Sequence, residues 1–95
     1  EISLDGFEVW VRESEGITLV MKEAQARRYG FDVTHLFARI TLQVHSSLTA
    51  VGLTAVVATR LAAQGISANV IAGYHHDHIY VAQSDGQRAV EILQA

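Results

Sequence analysis

From Ile40 to His76 a single residue, Arg60, carries a formal charge, and a stretch so poor in charge has to bury most of whatever it forms. Its first part, RITLQVH over 39–45, alternates apolar Ile40, Leu42 and Val44 with Thr41, Gln43 and His45. That is the period of a strand with one covered face. The spacing then predicts a helix from Leu48 to Gln64, opening at Ser46 or Ser47, either of which can accept from the exposed first-turn amides. Gly52 falls in the second turn of that helix, where the missing side chain lets another group approach the backbone. Leu53, Val57 and Leu61 form an i, i+4, i+8 stripe to lay on a sheet. Gly65-Ile66-Ser67 leads into a second strand that runs to Gly73.

Composition sets the outer limits. With 95 residues, 49% of them hydrophobic and 18% charged, the chain has enough apolar surface for one core. A net charge of -3, with lysines and arginines scattered apart from the Arg27-Arg28 pair, excludes nucleic acid as the expected partner. The absence of cysteine removes disulfides and thiolate chemistry and suits a cytoplasmic protein. Arg60 interrupts the longest uncharged stretch, so a membrane span is not expected. The chain opens on Glu1 without an apolar signal segment, which fits a trimmed chain or a fragment.

Upstream, alternation in FEVWVRE predicts a strand over 7–12, and ITLVM a second one over 17–21 after a turn at Ser14 to Gly16. MKEAQARRYG reads as a short helix stopped by Gly30, and 31–38 as connection. Beyond the central unit, Gly73 to Asp77 should turn back into HIYVA, whose Ile79 and Val81 share a face. Ser84 and Gln87 stand in capping-box spacing before a helix with Ala89, Val90 and Leu93 on its apolar side. The order is ββαβαββα. From Arg39 onward βαββα is an α+β, ferredoxin-like arrangement: an antiparallel sheet with helices on one face, lacking its final strand. An uncovered apolar edge invites aggregation, so that strand is expected from the N-terminal half, Ile17 to Met21 folding back, or from a partner chain. Residues 1–35 then form a partial strand-strand-helix half and 36–95 the main domain.

The stretch VHSSLTAVGLTAVVATRLAAQGISANVIAGYHHDHIYV resembles the ACT domain, and EVWVRESEGITLVMKEA resembles the divergent N-terminal half of compact bacterial ACT-domain proteins, related to aspartokinase regulatory domains and CASTOR-type sensors. The resemblance implies a ferredoxin-like ACT sandwich that senses an amino acid, with no catalytic activity and no cofactor. By position it implies a ligand lying between the turn residues His45, Ser46, Ser47, Leu48, Thr49 and Gly52 and the facing strand residues Asn69, Val70 and Ile71. Ser47 and the amides of Leu48 and Thr49 would take a carboxylate, and Asn69 would orient a polar or ammonium group. Helix N-termini carry unpaired N–H groups and partial positive charge, which supports a carboxylate site independently. Familiar amino-acid-binding members place Asn or Asp with Pro-Gly before the helix. Here Ser46-Ser47-Leu48 stands instead and proline is absent, so ligand identity does not transfer. With no acidic cluster near the turn, a neutral or small amino acid is favoured over lysine or arginine.

Tyr74-His75-His76-Asp77-His78 invites a metal reading, because His76 and His78 would share one face of a strand. A closed site needs further ligands, and of the other histidines only His35 and His45 remain, so no metal site is expected. The same residues offer no nucleophile with a base and an orienting carboxylate, which argues against an enzyme. A second helix stripe of small residues, Gly52, Ala55, Thr59 and Ala62 or Ala63, lacks the charges of a solvated face, so it or the sheet edge is expected to pack on another module or on a second chain, and a homodimer is expected. Two readings result: an amino-acid-binding regulatory protein, and an ACT-like assembly module without a ligand. A metal-responsive hairpin is a third and weaker one.

Overall fold

The computed structural model describes residues 7–42 and 52–94, and the chain divides into two compact units between His35 and Leu36. In the first, β1 (Phe7–Glu13) and β2 (Gly16–Met21) pair as an antiparallel hairpin closing at Glu13 opposite Gly16. The Thr18 hydroxyl donates to the Glu13 carboxylate beside the turn. Trp10 faces Leu19 and Arg12 faces Ile17, and the Arg12 guanidinium lies 5.3 Å from the centre of the Trp10 ring, a cation–π contact. The helix α1 (Glu23–Arg28) carries an exposed Glu23–Arg27 pair at 2.8 Å. It ends as the sequence suggests: Gly30 takes φ 79°, its N–H donates to Arg27 O and that of Phe31 to Ala26 O. Those two bonds satisfy the last carbonyls through a left-handed stop.

The second unit runs β3 (Phe37–Thr41), α2 (Leu53–Ala63), β4 (Ala68–Ala72), β5 (Asp77–Ala82), a 3-10 turn (Gln83–Asp85) and α3 (Gly86–Gln94). Its sheet has the order β3-β5-β4, with β5 antiparallel to both neighbours. β3 and β4 are therefore parallel to each other and separated by β5, the split β-α-β layout expected. Across the strands Ala38, Val81 and Ala68 form one row and Ile40, Ile79 and Val70 the next. These are the side chains that α2 and α3 cover. Val57 and Leu61 of α2, Ile66 of the connection that follows it, Ile79 and Val81 of β5, and Ala89 of α3 make one buried cluster, with Leu53, Ile92 and Leu93 packed on it. The predicted α2 stripe and the Ile79/Val81 face are both present.

Arg60, the lone charge of the central segment, ties the helices together: its Nη2 donates to Ile92 O at 2.6 Å. A cation on the terminal carbonyls of a neighbouring helix is favourable on both dipole and hydrogen-bond grounds. Arg88 does the converse, donating to Gln64 O at 3.1 Å past the end of α2. There Gly65 has φ 75° and the Ile66 N–H returns to Leu61 O, which seats Ile66 in the core.

Four expectations need correction. The first strand of the second unit is Phe37–Thr41, beginning inside the presumed connection, because Phe37 to Thr41 match β5 residue for residue; Leu42 keeps one bond, to Asp77 O at 2.9 Å, and Gln43 to His45 lie outside the described residues. The helix begins at Leu53 rather than Leu48, and Ser46 to Val51 lie outside the described residues. β2 pairs with β1 and is not a strand of the second sheet, since a short hairpin closes at little entropic cost. Finally, Ser84 sits inside a 3-10 turn rather than capping α3, and Gln87 Nε2 reaches forward to Glu91 Oε1 at 3.2 Å. Gly86 opens α3 because the helix meets the sheet closely there; a Cβ on it would stand 2.9 Å from the Ala38 Cβ.

Candidate functional site

The C-terminal ends of β3 and β4 and the N-terminal end of β5 meet at one end of the sheet, and the chain returns there into α2. Thr41 is paired with His78 and Ala72 with Asp77 at this end. Gly52 is the residue before α2, with φ 98° and ψ -8°, and its carbonyl accepts the first helical bond from the Val56 N–H at 2.9 Å. It thus caps α2 and does not lie in its second turn. Among the described residues a Cβ at Gly52 would meet nothing within 4 Å, and the left-handed backbone by itself calls for glycine here. Gly52→Ala should lower stability by about 1 kcal/mol, and Gly52→Leu by the same amount, measured by urea titration. A loss that grew with side-chain size would place another group against this residue instead.

Of the residues nominated for a ligand, His45, Ser46, Ser47, Leu48 and Thr49 lie outside the described residues. The three on β4 fall on opposite sides of the sheet. Val70 packs beneath the helices against the core. Asn69 and Ile71 stand on the other face, across from Tyr80 and His78. A ligand held against the start of α2 would meet β4 on the Val70 side; the Asn69 amide is separated from it by the sheet itself.

Asp77 is the residue that sequence reasoning missed. It is 6% exposed, the one buried charged or polar residue among those described. Because strand side chains alternate, it shares its face with Ile79 and Val81 and is directed beneath the helix layer. The signal was present as parity: a carboxylate two positions before Ile79 occupies an inward place. The expectation that no acidic cluster lies near the turn considered residues up to His76, and Asp77, the next residue, is a single carboxylate and not a cluster.

The histidines separate. His78 lies on the opposite face from Asp77, with its Nδ1 3.0 Å from the Thr41 hydroxyl. The turn before it is closed by the Gly73 N–H donating to His76 O at 2.9 Å, and His76 Nδ1 is buried without a hydrogen-bond partner among the described residues. Tyr74 is 94% exposed and meets the His75 ring edge-on at 4.9 Å. Among the described residues no three His, Asp or Glu side chains converge as a metal site would require, and no helix is long and apolar enough to cross a membrane.

This combination of a split β-α-β sheet, helices on one face and a helix start at the strand ends is what the ACT domain describes, and the family model for that domain matches residues 37–95. The chain belongs to the ACT domain family, a class of regulatory modules. Among solved structures it is similar to the crystal structure of a protein of unknown function from Vibrio cholerae, described as a possible transport protein, at 54% identity and a TM-score of 0.84. That match covers 92% of this chain, which spans 66% of the length of the Vibrio protein. No curated protein gives a match.

Proposed function

We propose that this chain is a regulatory ACT-domain protein without catalytic activity, cytoplasmic and homodimeric, that binds an amino acid at the end of the sheet where α2 begins. The observation carrying this reading is that end itself. α2 starts at a left-handed glycine with no side-chain cap among the described residues, so its first amides and the positive end of its dipole face the ground a carboxylate would occupy. On this reading the residues the resemblance nominates complete the site: His45 to Thr49, which lie outside the described residues, Gly52, and the β4 segment Asn69 to Ile71 through its backbone and Val70. Occupancy would shift the population of assembled states, and a partner would read that shift.

A thermal-shift screen against the proteinogenic amino acids tests it, with light scattering for the oligomeric state. A ligand confined to the folded protein stabilises it by about 2.7 kcal/mol at a hundredfold excess over Kd. The expected result is a dose-dependent rise for one L-amino acid that its D-form does not give. The assembly reading keeps one support: the outer face of α2 is uncharged, with Ala55, Thr59, Ala62 and Ala63 exposed and Val56 54% exposed. A stable dimer with no shift from any amino acid would favour it.

A further inference from the structure

We draw no further inference here: the strongest candidate, the surface patch made by the outer edge of β4, which pairs with β5 alone among the described residues, and the uncharged outer face of α2 with Ala55, Val56 and Thr59 exposed, carries nothing because nothing in the structure shows what covers it.

Discussion

Leu61→Ala should cost the second unit about 2–5 kcal/mol, the range for emptying a fully enclosed leucine site. Leu61 is 0% exposed and is surrounded on every side: Val57 one turn earlier, Ile66 after the helix, Ile79 and Val81 beneath and Ala89 from α3 all belong to its cluster. Few of these neighbours can collapse into the void. Its backbone is fixed as well, since Leu61 O accepts from both the Gln64 and the Ile66 N–H. A unit of about 60 residues holds roughly 3–9 kcal/mol in total, so the substitution should remove most of that and leave the unit partly unfolded at room temperature. Urea titration followed by far-ultraviolet circular dichroism reads the loss. Ala55→Ser, on the exposed face of the same helix, is the control and should change stability by less than about 0.5 kcal/mol. A loss below about 1 kcal/mol for Leu61→Ala would mean that α2 does not lie on the sheet in this way.

Much of the fold was legible because pattern and burial agree. The alternation in FEVWVRE and ITLVM gives β1 and β2 to within a residue, and Ile79 and Val81 announce the inner face of β5. The Leu53-Val57-Leu61 stripe announces the inner face of α2. The family resemblance, carried by the same residues, was correct. The errors fall where local rules are outweighed by tertiary pairing. RITLQVH alternates well, yet the described strand is Phe37–Thr41, because the register is fixed by β5 and not by the strand's own pattern. Ser84 and Gln87 have the spacing of a capping box, but Ala38 beneath Gly86 brings α3 so close that the helix starts on the glycine. Of the two expected sources for the missing strand, the N-terminal half and a partner chain, the first does not apply to β2, because its hairpin partner β1 is nearer in sequence.

The candidate site was legible in part. Gly52 stands out in the sequence as a place for close approach, and the structure adds a second reason for glycine, a left-handed dihedral angle, which a sequence shows only as the identity of the residue. Asn69 was nominated by chemistry alone, while the parity that puts it on the far face from Val70 becomes visible only once the register with Tyr80 is known. Asp77 was hidden by its neighbours. Flanked by histidines in a polar run, it reads as part of a solvated hairpin, and only its pairing with Ala72 shows that the strand has already begun.

Gly73→Ala is expected to cost about 1–3 kcal/mol, the usual range for forcing an extra carbon into a filled position. Unlike Gly52, Gly73 does not have a positive φ, so alanine is conformationally acceptable and the cost is purely one of space. The new Cβ would stand 2.8 Å from His76 O, with the His78 ring at 3.7 Å beyond. The carbonyl cannot retreat freely, because it is the acceptor of the Gly73 N–H that closes the turn. Relief has to come from opening that turn, which shifts His76 and with it the first residue of β5, Asp77. Two readouts should therefore move together: the urea midpoint falls, and the amide resonances of Asp77 and of its bonded neighbour Leu42 shift, while those of α1 stay in place. Gly73→Ser should behave as Gly73→Ala does, since both add the same Cβ. A neutral Gly73→Ala would show that the turn between β4 and β5 has room to spare, and would take away the constraint that holds Asp77 at the sheet end.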